Sequence, residues 1–329
     1  MFDIIQERFR DFRMPILCGI AITRRCNQKC LYCQVWDTEH HELKTKEALS
    51  IIKQLSELGM HRFCLTGGEP LLREDIGRII NFAYNKNMKV EVSSNGSLVK
   101  NRISDLKGVQ VLCISLDGPE HIHDSVRGRG SFKKVIEAAD IARKKNIAVS
   151  FRSVISKMNF RYVDAILNIA KDLKMNFIFQ PVTPIILGTH RINPLAASLD
   201  EYRQAFAKLI AKKEKGNKFI LNSLAGLKYF YGHLHGWPKP KKMFCISGRV
   251  LFHIDPDGML YPCINGSACD TRGLRGRDCL KLGVKEAIRS LRVPDCAGCW
   301  NAASFELNYS VALLLKKQGN FLSGVRYFC

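Results

Sequence analysis

Short apolar runs alternate with amphipathic stretches along the chain from about residue 16 to residue 184. The runs have the length and composition of buried strands, and the stretches between them repeat apolar residues at helical spacing. This alternation predicts repeated strand–helix units around a parallel sheet, which is an α/β fold. Strands are predicted at residues 16–22, 61–66, 88–94, 109–115, 147–155 and 176–182. Six such units are too few to close an eight-stranded barrel, so we expect a partial (β/α)6 TIM-like barrel.

Helices are predicted between these strands, at residues 45–58, 74–85, 132–145 and 162–173. Further along, a helix is predicted over residues 199–213, with Ser198 or Asp200 near its N-cap. These patterns divide the chain into five predicted segments. They are an N-terminal amphipathic helix (1–15), the barrel (16–195), a helical connector (196–244), a small cysteine-rich domain (245–300) and a C-terminal helix (301–329).

The N-terminal segment repeats Phe2, Ile5, Phe9 and Phe12 at helical spacing among three arginines. Such a helix can pack against the body of the protein, or residues 1–13 can lie on an anionic membrane surface. The segment is charged from its third residue, unlike a secretory signal peptide. No apolar run reaches the ~18 residues that a membrane span needs. We therefore expect a cytoplasmic protein.

Three cysteines follow the first predicted strand in the sequence CNQKCLYC, at Cys26, Cys30 and Cys33. An iron–sulfur cluster takes one thiolate per iron, so three cysteines would leave one iron of a four-iron cluster open to another ligand. The alternative is a zinc site completed by His40 or His41. The spacing alone does not decide between the two.

Three more loops with distinctive sequences each follow a predicted strand, namely GGEP at 67–70, SSNG at 93–96 and SLDG at 115–118. In a parallel barrel these loops emerge on the C-terminal rim, where the active sites of such barrels lie. The cysteine loop emerges on the same rim. The four loops therefore predict one functional site at that face.

The cysteine-rich segment contains a predicted hairpin, in which the runs RVLFHI and MLYPCI flank a turn at 255–258. Cys245 and Cys263 lie on either side of this hairpin, and Cys296 and Cys299 follow as a second pair. Four thiolates suffice for a complete 4Fe–4S cluster or for a structural zinc.

The remaining cysteines leave alternatives open. Cys269 or Cys279 could replace one of the four thiolates, because spacing does not determine connectivity. Cys18, Cys64 and Cys113 fall within apolar strands, where free cysteine packs as a small hydrophobic residue. Cys64 as a fourth ligand would instead close the open site at the first triplet.

The composition adds a strong positive charge and many thiols. The chain has 51 basic and 30 acidic residues, a net charge of +21, which suggests an anionic partner. The basic residues lack interleaved aromatic side chains, so we expect a solvated basic face rather than a nucleic-acid site. A zinc or iron–sulfur nucleic-acid-binding protein is the alternative. Thirteen cysteines indicate a reducing compartment and metal ligation.

Together these motifs resemble those of the radical S-adenosylmethionine (radical SAM) enzymes. The triplet matches the family's CxxxCxxC loop, including the aromatic Tyr32, and residues 67–70 look like its glycine-rich segment. Residues 114–138 are similar to the molybdenum-cofactor, sulfatase-maturating and peptide-modifying branches. The resemblance implies an enzyme in which a reduced 4Fe–4S cluster cleaves SAM bound to its open iron. The resulting 5′-deoxyadenosyl radical would abstract hydrogen from the substrate.

The resemblance also implies which residues hold SAM. The backbone of Gly67 and Gly68 would hold its amino group, and residues 93–95 its ribose. Ser115 and Arg127 would hold its carboxylate, which a guanidinium can bind through two hydrogen bonds. The implied cofactor-binding residues are Tyr32, Gly67, Gly68, Glu69, Pro70, Ser93, Asn95, Ser115, Asp117 and Arg127.

The C-terminal cysteines resemble the auxiliary-cluster units of this family, the twitch unit and the longer SPASM unit. No cysteine follows Cys299 before Cys329, so the resemblance implies a single auxiliary 4Fe–4S cluster. Its implied ligands are Cys245, Cys263, Cys296 and Cys299. Ile264 stands where sulfatase maturases carry an aspartate, which weakens the resemblance to that branch.

The resemblance further implies an electron donor such as flavodoxin or ferredoxin. The substrate is expected to be a small molecule, a lipid or a peptide, and the positive charge favours an anionic one. The triplet begins at residue 26, with little chain before it for a peptide-recognition domain. We therefore expect a metabolite or lipid before a ribosomally made peptide.

Overall fold

The structure, a computed structural model, describes residues 15–38, 41–189, 191–232, 245–264, 275–292 and 299–316. Six parallel strands lie side by side in chain order. They are β1 (Leu17–Thr23), β2 (Arg62–Gly67), β3 (Lys89–Ser94), β4 (Val109–Ser115), β5 (Ala148–Ile155) and β6 (Asn176–Pro181). Each agrees with its predicted strand to within one residue at either end, so the predicted α/β fold with a parallel sheet is confirmed.

Helices connect successive strands. Those of the barrel are α1 (Thr45–Glu57), α2 (Ile76–Asn85), α3 (Val99–Arg102), α4 (Glu120–Arg127), α5 (Ser131–Lys144) and α6 (Val163–Leu173). Later in the chain come α7 (Leu199–Glu214), α8 (Leu224–Gly232), α9 (Cys279–Leu282), α10 (Val284–Arg289) and α11 (Ala302–Lys316). Ser198 is the N-cap of α7, since its hydroxyl accepts a hydrogen bond from Glu201 N at 3.3 Å.

The core lies between the sheet and these helices. In α1 the buried residues are Ala48, Ile51, Ile52 and Leu55, a spacing that places them on one side of the helix. They belong to the same apolar cluster as Phe63 of β2. The helix-facing side of the sheet is therefore apolar, and the polar residues of the strands face the interior of the barrel.

Three further strands extend the sheet beyond β1. They are β7 (Leu251–Ile254), β8 (Met259–Tyr261) and β9 (Arg277–Asp278), and the full order is β6-β5-β4-β3-β2-β1-β7-β8-β9. β7 pairs in parallel with β1, and β8 pairs antiparallel with β7 across the predicted turn, which confirms the hairpin. The sequence pattern indicates the hairpin but not its pairing with β1.

The last described helix, α11, links both sides of the barrel. Phe305 stacks on Tyr229 of α8 with ring centroids 4.3 Å apart, and Glu306 accepts a hydrogen bond from Ser223 N at 2.9 Å. At its other side Val311 packs in a small apolar cluster with Val250. The helix therefore holds the β7 segment against the rest of the fold.

The barrel interior contains a buried ion pair between Arg62 of β2 and Glu91 of β3. Their side chains are 9% and 1% exposed. Glu91 lines a small cavity of about 80 Å³ further inside the barrel than the strand C-termini, together with Cys64 and His253. A buried pair of this kind is costly to break, because the remaining charge stays in a poorly solvated place.

We expect the substitution Glu91→Ala to lower the free energy of unfolding by about 3–5 kcal/mol, because it leaves the buried Arg62 guanidinium without this carboxylate. Denaturant unfolding followed by circular dichroism measures the change. The double variant Arg62→Met, Glu91→Leu is the control and should be nearly as stable as the natural protein. Equal destabilisation by the single and double variants would contradict the prediction.

Two predictions concern the chain ends and membranes. The predicted N-terminal helix at residues 1–15 lies almost entirely outside the described residues, so its membrane contact stays a prediction. Within the described ranges no helix combines the length and apolar character needed to cross a bilayer.

Candidate active site

A cavity of about 250 Å³ opens at the C-terminal ends of the strands. Residues from all four predicted loops line it. They are Cys26, Cys30, Tyr32, Cys33, Gly67, Gly68, Ser93, Asn95, Ser115 and Arg127. The structure thus places the cysteine triplet and seven of the ten implied cofactor-binding residues at one site, on the rim that the strand pattern predicts.

The cysteine triplet lies in a loop that the backbone holds firmly. Cys33 N donates to Cys30 O at 3.0 Å, and Leu31 N donates to Val126 O of α4 at 3.1 Å. All three thiols are partly buried. Burial and, to a smaller extent, the neighbouring thiols raise the pKa of the Cys33 thiol to about 11. Metal ligation has to displace these protons, because thiolates are the ligands.

The three thiols of the triplet do not converge on the position of a single metal ion. Among the described residues, no group of three or more His, Cys, Asp or Glu side chains is placed to hold one metal ion. In a four-iron cluster each thiolate binds its own iron, so the sulfurs need not converge on one point. His41 is exposed and does not line the cavity, and His40 lies outside the described residues. The zinc alternative therefore gains no fourth ligand from His41.

The other cysteines of the barrel lie apart from the triplet cavity. Cys18 and Cys113 are buried within strands, where the sequence pattern predicts them. Cys64 lines the inner 80 Å³ cavity and is not part of the triplet cavity lining. Cys64 therefore does not join the triplet at its cavity.

Two glycines bring the backbone of the second loop against the first. Gly67 has a φ of +132°, and a Cβ there would lie 2.1 Å from Thr23 O. A Cβ on Gly68 would lie 2.2 Å from Arg25 O. Gly68 N donates to Thr23 O at 2.8 Å, which joins the loop to the end of β1. Only glycine allows so close an approach, so both residues are needed to shape this wall of the cavity.

Glu69 and Pro70 are buried behind that wall and do not line the cavity. The Glu69 carboxylate accepts hydrogen bonds from Asn95 N at 2.7 Å, Ser94 Oγ at 3.0 Å and Leu71 N at 3.1 Å. Burial raises the pKa of Glu69 to about 7. Glu69 therefore ties the GGEP loop to the SSNG loop, which places Asn95 at the cavity.

Asp117 also lies behind the cavity wall, in contact with two residues that line it. Its Oδ2 accepts hydrogen bonds from Arg127 Nε at 2.6 Å and from the Tyr32 hydroxyl at 3.0 Å. Its Oδ1 accepts one from Val154 N at 2.9 Å. Arg127 Nη1 lies 3.8 Å from Cys30 Sγ. Asp117 thus orients Arg127 beside the cysteine loop.

The opposite wall of the cavity holds residues that the sequence pattern does not reveal. Arg24 pairs with Asp255 at 2.7 Å, and Asp255 also lies 3.3 Å from His253 Nε2. Gly19 of β1 is the register partner of His253 in β7, and a Cβ on Gly19 would lie 3.2 Å from its Nδ1. The glycine therefore makes room for the imidazole. A glycine inside a strand is the one sequence signal that could have indicated this contact.

Residues next to the C-terminal cysteines complete this wall. Ile264 follows Cys263, Trp300 follows Cys299, and both Ile264 and Trp300 line the cavity. Trp36 faces the same space and is covered by the Lys29 ammonium, 4.5 Å from its ring centroid. The cysteine-rich segment therefore borders the cavity that contains the triplet.

The C-terminal cysteines are only partly within the described residues. Cys299 N donates to the Tyr229 hydroxyl at 2.8 Å, and Asn308 Nδ2 lies 3.8 Å from Cys245 Sγ. Burial raises the pKa of Cys279, the first residue of α9, to about 12. Cys296 and Cys269 lie outside the described residues.

Comparison with known proteins agrees with this geometry. The model of the radical SAM superfamily matches residues 20–174, which include the triplet and all three rim loops. Fe-coproporphyrin III synthase of Methanosarcina barkeri is 32% identical over 202 residues, which cover 59% of this chain. This match covers only 50% of that relative. The PqqA peptide cyclase of Bradyrhizobium diazoefficiens is 26% identical over 275 residues, 80% of this chain and 70% of that one.

Solved structures show the same fold. Streptococcus suis SuiB, in its complex with S-adenosylmethionine, has a TM-score of 0.68 and is 15% identical. The match covers 96% of this chain and 77% of SuiB. At this identity the likeness concerns the arrangement of strands and helices.

Proposed function

We propose that this chain is an enzyme of the radical SAM superfamily and that Cys26, Cys30 and Cys33 are its cluster ligands. Members of that superfamily use a 4Fe–4S cluster and S-adenosylmethionine. One observation carries the proposal: the three thiols line a single cavity with the two-glycine wall and Arg127. When bound, the cluster and SAM supply a 5′-deoxyadenosyl radical that abstracts hydrogen from the substrate. The protein binds both and orients them.

The residues around the triplet suit the polar groups of SAM. Gly67 and Gly68 present their backbone at the cavity edge, where the SAM amino group can bind. Ser115 and Arg127 provide a hydroxyl and a guanidinium for the carboxylate. Ser93 and Asn95, which line the same cavity, would bind the ribose. Glu69 and Asp117 act indirectly, since they hold Asn95 and Arg127 from behind the wall.

We propose that the second metal site is a single 4Fe–4S cluster held by Cys245, Cys263, Cys296 and Cys299. Its support is the position of Cys263 and Cys299, each followed by a residue of the cavity wall. A cluster there would lie close to the bound substrate. Electron transfer from the substrate radical is one use of such a cluster, and structural support is another.

Iron and sulfide analysis after anaerobic reconstitution tests both sites. We expect about eight irons and eight sulfides per chain, and about four of each in the variant Cys263→Ala, because each four-iron cluster depends on its thiolates. Cys263→Ala should still form 5′-deoxyadenosine from SAM under reduction. Cys279→Ala is the matched control and should keep about eight irons. Loss of iron in Cys279→Ala would contradict the proposed ligand set, and zinc in place of iron would contradict both clusters.

A peptide is the substrate that we propose. The PqqA peptide cyclase matches 80% of this chain, whereas the match to Fe-coproporphyrin III synthase covers 59%. The cavity wall also offers two indole rings, Trp36 and Trp300, and the charged pair of Arg24 and Asp255. Such a wall can hold a peptide side chain together with its polar backbone.

A tetrapyrrole is the second candidate, favoured by the 32% identity to Fe-coproporphyrin III synthase. To separate the two, the reduced enzyme with SAM is incubated with a panel of iron tetrapyrroles or with synthetic peptides encoded beside its gene. Substrate-dependent 5′-deoxyadenosine and a mass change in the peptide support the first candidate. Stimulation by an iron tetrapyrrole alone would contradict it.

A further inference from the structure

Arg127, Asp117 and Tyr32 form a closed group of hydrogen bonds beside the cysteine loop. All three side chains are buried, with 8%, 1% and 7% of their surface exposed. Two further hydrogen bonds hold Asp117 in place. Asp117 Oδ1 accepts from Val154 N at 2.9 Å, and Asp117 O accepts from Asn159 Nδ2 at 2.7 Å. The carboxylate is therefore a rigid element to which the other two side chains attach.

Only one assignment of hydrogen-bond donors and acceptors fits these three side chains. The Tyr32 hydroxyl donates a hydrogen bond to Asp117 Oδ2 at 3.0 Å. The hydroxyl oxygen then accepts from Arg127 Nη2, while Arg127 Nε donates to Asp117 at 2.6 Å. With both bonds made, Arg127 Nη1 faces Cys30 Sγ at 3.8 Å. Tyr32 and Asp117 thus fix the guanidinium at two of its nitrogens and direct the third toward the thiol.

The third nitrogen matters because Cys30 is a proposed cluster ligand. A thiolate that accepts an N–H hydrogen bond from a guanidinium carries less unshared negative charge, so an added electron meets less repulsion. Hydrogen bonds to the sulfurs are among the factors that set the reduction potential of iron–sulfur clusters. An unclamped arginine samples many rotamers and would make this contact only part of the time.

We propose that Tyr32 and Asp117 are positioning residues that hold Arg127 against Cys30 and thereby raise the reduction potential of the cluster. The inference rests on the proposed function, since it requires a cluster at Cys30. It assigns the aromatic residue of the CxxxCxxC loop a role through its hydroxyl group.

The test is a double-mutant cycle on the midpoint potential. The variants are Tyr32→Phe, Arg127→Gln and the two combined, which leave the Asp117 side chain in place. The reconstituted full-length protein is titrated anaerobically without SAM, and the reduced cluster is followed by electron paramagnetic resonance. We expect Tyr32→Phe and Arg127→Gln each to lower the potential, Arg127→Gln more. Tyr32→Phe should have no further effect when Arg127→Gln is present, because the hydroxyl acts only through Arg127.

Two more variants test whether the potential depends on the position of the Arg127 guanidinium, rather than on its charge or on a general effect of substitution on the fold. Arg127→Lys keeps the positive charge but loses the fork geometry, so its potential should lie near that of Arg127→Gln. Tyr84→Phe, on the exposed face of α2, is the matched control and should leave the potential unchanged. A potential of Arg127→Lys equal to that of the natural protein would overturn the proposal, as would a Tyr32→Phe shift that persists in the double variant.

The iron and sulfide content of every variant is measured before its midpoint potential is titrated. Natural protein without iron–sulfur clusters would contradict the proposed function, and this inference with it. Intact clusters with the same potential in Tyr32→Phe and the natural protein would contradict the positioning role alone.

Discussion

The variant Cys30→Ala will form no 5′-deoxyadenosine above the background of protein-free controls. Cys30 is the central cysteine of the triplet, lines the cavity and lies 3.8 Å from Arg127 Nη1. Its removal leaves one iron without a protein ligand at a site that supplies only three thiolates, so the cluster should not persist. Without it, SAM has neither the open iron nor the electron needed for cleavage. Chromatography of the quenched reaction measures the product.

The matched control for this prediction is Cys64→Ala. Cys64 is the first cysteine after the triplet, and it lines the inner cavity rather than the triplet cavity. The control should keep both the cluster at the triplet and the formation of 5′-deoxyadenosine. Full activity of Cys30→Ala, or loss of the cluster in Cys64→Ala, would show that the ligands have been assigned to the wrong residues.

The variant Gly68→Ala will bind SAM about 100-fold more weakly, because a displacement of the order of 1 Å at a positioning loop is enough for such a loss. The added Cβ would lie 2.2 Å from Arg25 O and 2.5 Å from Arg24 O. Neither backbone oxygen can move without shifting the cysteine loop that begins at Cys26. Both walls of the proposed SAM site would therefore be displaced. Equilibrium dialysis of radiolabelled SAM against the reconstituted protein measures the affinity.

Gly232→Ala is the control for steric specificity. A Cβ on Gly232, the last residue of α8, has no atom within 4 Å, and the residue does not have a positive φ. This variant should bind SAM like the natural protein. Natural affinity in Gly68→Ala would mean that the loop adapts, and that the close packing of Gly68 on Arg25 is not what shapes the site.

The local elements of the fold follow from the sequence because their periodicities are local. The spacing of Ala48, Ile51, Ile52 and Leu55 already predicts α1, and these are the residues that the helix buries. The same holds for the six strands and for the turn at 255–258. The pairing of β7 with β1 does not follow, because it joins segments more than 200 residues apart and leaves no periodic trace in either.

The candidate site likewise has features that the sequence predicts and features that only the tertiary structure determines. The triplet and the loops at 67–70, 93–96 and 115–118 are predicted to meet, since parallel strands bring their C-terminal ends to one rim. Their motifs do not distinguish residues that line the cavity from residues that support it. Glu69 and Asp117 belong to the motifs, yet each uses its carboxylate on neighbouring protein groups. Only the packing of the loops on each other determines that difference.

The sequence by itself therefore determined the strand–helix order, the rim and the thiols, because each depends on the spacing of nearby residues. The tertiary structure alone decided what faces the proposed cofactor. It placed His253 and Asp255 on the wall opposite Arg127 through the pairing of β7 with β1. It also joined Tyr32, Asp117 and Arg127 beside Cys30. These contacts depend on distances between remote segments, which hydrophobic and polar patterns do not record.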